Sequence, residues 1–286
     1  MKICRFGNNQ LGLVEGSLVR DVSAALDVLP AHRYPLPGHD PLIADLDKVR
    51  ARIEAIKDKA PTLPLDQAHL LSPVANPGKI IAAPVNYVKH LQEVLDDRNL
   101  HHDNQINHIQ RAGLFLKAPS SLVGEHAGVA LRKLDRRNDH EVELAVVIGK
   151  QGNNIRREDA LKHVAGYCIG LDITIRGPEE RSLRKSPDSY TVLGPWLVTA
   201  DELPDASNLE LSLKVNDEQR QKSNTADLIL GVPELIEFAS SFYTLQPGDV
   251  IITGTPEGVG PLVPGDVMHA SIERIGSLDV KVRAAD

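Results

Sequence analysis

His140-Glu-Val-Glu-Leu-Ala-Val-Val-Ile-Gly-Lys150 sets two glutamates, Glu141 and Glu143, ahead of an apolar run. In a strand alternate side chains share a face, so the two carboxylates project together. The same spacing describes the wet face of a half-buried antiparallel strand. Against that, Ala145 and Val147 come next on the same face, and Ala145 to Ile148 reads as buried on both sides. Further along, Asp172 interrupts a second apolar run, Val164-Ala-Gly-Tyr-Cys-Ile-Gly-Leu-Asp-Ile-Thr-Ile175. Three carboxylates brought together repel one another and resist ionisation unless a cation of high charge density sits among them. An all-oxygen, all-anionic set suits Mg²⁺, Mn²⁺ or Ca²⁺ rather than zinc.

The chain has 286 residues, enough for one large core or for a small domain beside a larger one. Its 42% hydrophobic and 25% charged residues are ordinary for a globular protein. No apolar stretch approaches the ~20 residues that span a bilayer, so no membrane partner is expected. The start, Met-Lys-Ile-Cys-Arg-Phe-Gly, has no signal-peptide pattern, and the cysteines number two, Cys4 and Cys168. A reducing, cytoplasmic setting without a disulfide is the expectation. Formal net charge is −7 with no basic run, which disfavours nucleic acid and points to a small-molecule partner.

Lys2–Phe6, Gln10–Glu15 and Leu18–Val22 read as short strands separated by turns at Gly7-Asn-Asn9 and Glu15-Gly-Ser17. From Asp40 to Lys57, apolar residues recur at spacings of three and four, and Asp40-Pro41 is a helix start. Leu71-Ser-Pro-Val-Ala-Asn-Pro-Gly78 is the candidate boundary, predicting a small N-terminal domain over 1–73 and a larger one over 74–286. Beyond Lys79, β-rich runs alternate with Gly/Pro turns, and the clearer helices are Arg157–Val164 and Val232–Ser241. This is not the regular alternation of a doubly wound protein. Leu95–Gly113 is polar and reads as a solvated loop, an exposed helix or a flap over a site; its His101, His102 and His108 match no familiar zinc spacing.

Three further motifs carry chemistry. Asn86-Tyr-Val-Lys-His-Leu-Gln-Glu93 places His90 and Glu93 one helical turn apart, where a carboxylate can orient an imidazole and raise its basicity. An exposed polar helix face has the same pattern. Lys185, in Leu183-Arg-Lys-Ser-Pro-Asp-Ser-Tyr-Thr-Val-Leu-Gly-Pro-Trp196, is suited to stabilising an enolate or binding a carboxylate. Ile251-Ile-Thr-Gly-Thr-Pro-Glu-Gly-Val-Gly260 is a Gly-rich loop that either cradles a carboxylate or is only a tight turn. It lacks the Gly-Lys-Ser/Thr ending of a P-loop, and no Gly-x-Ser-x-Gly elbow occurs, which disfavours nucleotide hydrolysis and serine-esterase chemistry.

Taken in order, Lys79-Ile-Ile with Asn86-Tyr87 and His90, Phe115-Leu-Lys-Ala-Pro-Ser-Ser-Leu122, Glu141 to Gly149, Gly166-Tyr with Asp172, Lys185 to Trp196, and Pro247-Gly-Asp through Gly260 resemble the fumarylacetoacetate hydrolase superfamily. They span most of residues 79–276. The resemblance implies an α+β, β-rich fold, a mixed β-roll behind a small N-terminal α+β domain, acting as a homodimer with Mg²⁺ or Mn²⁺. By match to the family motifs, Glu141, Glu143 and Asp172 are metal ligands and His90 with Glu93 the water-activating dyad. Lys185 polarises substrate or stabilises its enolate. Tyr87, Arg176, Thr253, Gly254 and Thr255 are implied substrate contacts. The chain departs from the family where Gly177 follows Arg176, since many relatives read Asp-x-x-x-Arg-Asp. The stretch from Asp172 to Lys185 is also short, and the polar segment after His90 is expanded.

The activity this resemblance implies is metal-assisted hydrolysis of a carbon–carbon bond in a 2,4-diketo acid, an acylpyruvate such as fumarylpyruvate, with aromatic catabolism as the setting. The same groups also serve oxaloacetate decarboxylation or isomerisation of a 2-hydroxyhepta-2,4-diene-1,7-dioate. A non-catalytic metal-dependent dicarboxylate binder would keep the three carboxylates without needing His90 and Glu93.

Overall fold

In the computed structural model, described for residues 1–97, 100 and 109–285, the chain is β-rich with mixed sheets. His101, His102, His108 and the middle of the expected flap lie outside the described residues. A twelve-stranded sheet runs in the order Thr62–Pro64, Leu18–Asp21, Gln10–Glu15, Lys2–Phe6, Thr191–Thr199, Val164–Asp172, Val142–Ile148, Val250–Ile252, Ile80–Ala82 and Phe115–Lys117. Leu70–Leu71 and Leu122–Val123 pair off this path. Most ladders are antiparallel, but Val250–Ile252 pairs parallel with Ile80–Ala82. A five-stranded sheet and a three-stranded sheet complete the β-structure.

The Val142–Ile148 strand is buried at all seven positions, and its alternation divides the core in two. Leu144, Val146 and Ile148 pack with the Val232–Phe242 helix and the five-stranded sheet. Ala145 and Val147 pack on the opposite side with Ile43, Leu46, Val49 and Ile53 of the N-terminal segment. Each face therefore carries its own apolar cover, which is why the sequence shows a continuous hydrophobic run rather than alternation. The core crosses the expected boundary near residue 73, and so does the sheet, because Ile3 pairs with Leu197.

Local differences from the sequence reading have simple causes. The apolar stripe after Asp40 is split into the helices Pro41–Ala44 and Leu46–Ile56, which meet at Asp45, where ψ is 24°. Arg157–His163 is 3₁₀ rather than α, the tighter winding common in short connectors. Both cysteines are free and buried, and among the described residues no helix is long and apolar enough to cross a membrane.

Two aspartates fasten the segment that leads into the Ile80–Ala82 strand. Asp40 accepts from the Leu42 and Ile43 N–H groups through one oxygen and from those of Ala75 and Asn76 through the other. Asp249 accepts from the Lys79 and Gln246 N–H groups and pairs with the Lys79 ammonium at 2.7 Å. Asp40→Ala removes a helix cap and strands two further N–H groups, so it should lower unfolding free energy by roughly 3 kcal/mol, read from the urea midpoint with an unchanged m-value.

Candidate active site

Strand register assembles the carboxylates. Glu143 lies opposite Gly170 and Val142 opposite Leu171, and the Asp172 N–H donates to the Glu141 carbonyl at 2.9 Å. One ligand oxygen from each of Glu141, Glu143 and Asp172 lies within 4.8 Å of the others, and all three residues are buried. Among the described residues this is the group of side chains placed to hold a metal ion.

Cations surround the trio. The Lys185 ammonium donates to Glu141 Oε2 and to Asp172 Oδ2, each at 2.7 Å. Lys117, fully buried, pairs with Asp172 Oδ1 and donates to the Tyr190 carbonyl at 3.0 Å. Arg176 donates through Nε to Asp139 at 2.8 Å and through Nη2 to Glu141 at 3.1 Å, where the Thr174 hydroxyl also donates. Burial opposes ionisation of Glu141, but Lys185 and Arg176 outweigh it and hold the carboxyl down at about 2. Among the described residues Glu143 has no such cation in contact. Burial pushes its carboxyl well up, and the charges of Asp172 and Glu141 push it further.

The neighbouring loops brace this arrangement. Gly254 has φ of 96°, and a Cβ there would fall 2.7 Å from the Asn86 Cβ, so glycine is required both by conformation and by space. Its N–H donates to Glu143 Oε2 at 2.6 Å. The Asn86 amide donates to the Leu230 and Thr253 carbonyls and accepts from the Leu230 N–H, tying three segments together. Beside it Val85 has φ of 46°, an unfavourable region for a β-branched residue.

His90 is on the helix Val88–Asp96, and its Nδ1 meets Glu93 Oε2 at 2.7 Å. The other Glu93 oxygen accepts from the Gly258 N–H at 2.9 Å. With Nδ1–H donating to a carboxylate, Nε2 is left as the basic nitrogen. A cavity of about 390 Å³ is lined by His90, Glu141, Lys185, Arg176, Thr255 and Phe115, among others.

The remaining expected contacts are placed unevenly. Thr255 lines the cavity, but its hydroxyl donates to the Val142 carbonyl at 3.0 Å. Tyr87 and Thr253 are buried, and neither hydroxyl has a hydrogen-bond partner among the described residues. Burial and the nearby Glu143 charge push the Tyr87 phenol up. Arg176 lines the cavity while held by Asp139 and Glu141, the geometry of a strut on the carboxylate cluster. Sequence reasoning assigned nothing to Lys117. In the Phe115–Lys117 strand it shares the buried face with Phe115, which only the folded structure shows.

A β-rich fold of mixed sheets, with buried carboxylates and a His–Glu pair opening on one cavity, defines a metal-assisted hydrolase or isomerase of small acids. Residues 79–283 match the model of the fumarylacetoacetate (FAA) hydrolase C-terminal family, and the chain belongs to that family. It is 64% identical over 286 residues to maleylpyruvate hydrolase of Aquipseudomonas alcaligenes, covering 99% of this chain and 100% of that protein. It is 36% identical over 241 residues to mitochondrial oxaloacetate tautomerase of Homo sapiens, covering 80% of this chain and 74% of that protein. The crystal structure of maleylpyruvate hydrolase from Sphingobium sp. SYK-6 in complex with manganese (II) ion and pyruvate aligns with a TM-score of 0.85 at 40% identity over 100% of both chains.

The oxygen donor set and the resistance of Glu143 to ionisation both fit a hard divalent cation. Mn²⁺ at a hundredfold excess over Kd should stabilise the protein by about 2.7 kcal/mol, seen as a melting-temperature rise of roughly 5 °C that chelator reverses. Glu143→Gln should melt no lower than the parent in chelator, since it removes a like charge, yet lose the Mn²⁺-dependent gain.

Proposed function

We propose that this chain is a divalent-metal-dependent acylpyruvate hydrolase that cleaves maleylpyruvate to maleate and pyruvate. The convergence of Glu141, Lys185 and His90 on one cavity, with Glu143 and Asp172 clustered on Glu141 and Glu93 on His90, carries this reading. It is supported by the 64% identity to a maleylpyruvate hydrolase and the 40% identity to one with manganese and pyruvate bound. These relatives move the acyl group from the fumaryl isomer expected above to the maleyl isomer. Glu141, Glu143 and Asp172 would hold Mn²⁺ or Mg²⁺, which when bound supplies Lewis-acid polarisation of the 2-oxo acid end.

His90 Nε2, with the ring oriented by Glu93, takes a proton from water, whose oxygen attacks the C4 carbonyl of the diketo acid. The C3–C4 bond breaks, its electron pair stays on C3 as the enolate of pyruvate, and the acyl carbon leaves as maleate. Lys185 uses two of its three N–H donors on Glu141 and Asp172, so the third remains for the enolate or keto oxygen. The imidazolium returns its proton to C3 and pyruvate forms. Tyr87, Arg176 and the Thr253-Gly254-Thr255 turn act in this reading by shaping and bracing the pocket around substrate.

The relationship to an oxaloacetate tautomerase favours one second reading, proton transfer at C3 of a 2-oxo acid without addition of water. The same His90 would serve it.

We also read residues 1–73 as a small α+β unit ahead of a mixed β-roll over 74–286, and the enzyme as cytoplasmic and a homodimer. The family match begins only at residue 79, and both thiols are free. Light scattering after size exclusion should therefore give twice the 31.2 kDa chain mass.

Loss of maleylpyruvate ultraviolet absorbance should require Mn²⁺ or Mg²⁺ and yield maleate and pyruvate in equal amounts. His90→Ala should lower kcat by about 10²- to 10⁴-fold while keeping the Mn²⁺-dependent thermal gain. Unchanged turnover in His90→Ala would dismiss the assigned base, and keto–enol exchange without cleavage would select the tautomerase reading.

A further inference from the structure

One wall of the cavity is the helix Arg181–Lys185 with the turn before it, Pro178 to Glu180. The cations on this wall differ in what they hold. Lys185 is bound to Glu141 and Asp172, and Arg176 to Asp139 and Glu141. Arg184 donates to the Glu179 and Ile175 carbonyls at 2.7 and 3.1 Å. Arg181 also lines the cavity, but among the described residues its guanidinium meets no carboxylate at ion-pair distance. It lies instead over the Phe115 ring, with Cζ 5.4 Å from the centroid. The acidic charge that acts on it most is that of its neighbour Glu180, whose side chain accepts the Ser182 N–H at 2.8 Å. Burial pushes the Arg181 guanidinium down, as for a cation short of compensating contacts.

The wall is held in place. Arg136 donates to both oxygens of Glu179 at 2.9 and 2.8 Å and to the Arg176 carbonyl at 3.0 and 2.7 Å. Gly177 makes this possible, since a Cβ there would sit 1.7 Å from Arg136 Nη2. The glycine that departs from the Asp-x-x-x-Arg-Asp pattern is thus what admits the clamp on the Arg181 wall.

Charge balance indicates what Arg181 is for. Leaving Arg181 aside, Arg176 and Asp139 cancel, as do Arg136 with Glu179 and Arg184 with Glu180, so three carboxylates with two ammonium groups and a divalent ion would leave a single positive charge. That suffices for the one carboxylate of a 2-oxo acid end. A dicarboxylate carries a second negative charge into the same largely buried space, where an unpaired ion is costly. Resting on the acylpyruvate-hydrolase reading, we propose that Arg181 is a specificity-determining residue that pairs with the distal carboxylate of a dicarboxylic acylpyruvate, with Phe115 as the platform under its guanidinium.

The test compares maleylpyruvate with acetylpyruvate, which lacks the distal carboxylate. Arg181→Gln should lower kcat/KM for maleylpyruvate about 100-fold, mostly through KM, and change that for acetylpyruvate less than about threefold. Arg181→Lys should restore part of the loss, because it keeps the charge without the planar fork. Turnover of acetylpyruvate reports folding of each variant. Equal losses on both substrates, or none on either, overturn the proposal. Calorimetric binding of 2-oxoheptanedioate and 2-oxoheptanoate in Mn²⁺ tests the same pairing without turnover. The parent should prefer the diacid and Arg181→Gln should bind both alike; a preference that survives Arg181→Gln overturns Arg181 as the determinant. A parent that hydrolyses neither acylpyruvate refutes the hydrolase reading alone, and the binding of these two acids still tells whether Arg181 pairs with a distal carboxylate.

Discussion

Three buried carboxylates with oxygens within 4.8 Å of one another cannot be stable as an isolated group, and much of the surrounding structure answers to that constraint. Lys185 bridges Glu141 and Asp172, Lys117 also pairs with Asp172, and Arg176, which holds Glu141, is itself braced by Asp139. The compensation is incomplete by one residue. Among the described residues Glu143 takes a single backbone N–H and no cation, so the site retains an unmet demand for positive charge beside it. A metal centre needs this asymmetry, because a fully neutralised cluster would have little affinity left for an ion.

The backbone meets the constraint by being rigid where the charges are. The central strands are buried on both faces by different layers, the N-terminal helices on one and the Val232–Phe242 helix with the five-stranded sheet on the other. Carboxylates at the ends of such strands have little freedom to move apart. The His90–Glu93 pair proposed to activate water belongs to a different element, the helix Val88–Asp96. It is locked to the Gly-rich loop by Gly258 and Asn86, so that His90 and Glu141 share one cavity although they are far apart in sequence. The N-terminal segment takes part by lending half of the core and extending the main sheet.

Two of the three departures from the family motifs, Gly177 and the short Asp172 to Lys185 stretch, fall at one wall of the cavity. Gly177 in place of a larger residue, the short Asp172 to Lys185 stretch and the Arg136–Glu179 clamp all shape the surface that carries Arg181. The carboxylate trio and the His90–Glu93 pair lie in the family motifs, while Gly177 departs from them. A family can in this way keep one enolate chemistry and change the acid it accepts.

The residues themselves determined a good deal. Glu141, Glu143 and Asp172 were legible because charges inside apolar runs are too costly to be incidental, and His90 with Glu93 because a helical turn brings them together. The strands at Lys2–Phe6 and Gln10–Glu15 and the cap at Asp40 followed from alternation and from side-chain chemistry. Pattern reading did not reach Lys117, which looks like any strand lysine until its neighbours are known, or Arg136, whose partners lie about forty residues away. Nor did it separate Arg176, an arginine already spoken for, from Arg181, which meets no carboxylate among the described residues. Spacing along a chain fixes which side chains share an element and a face. Which charges meet, and which are left over for a ligand, depends on contacts between distant segments that only the folded protein brings together.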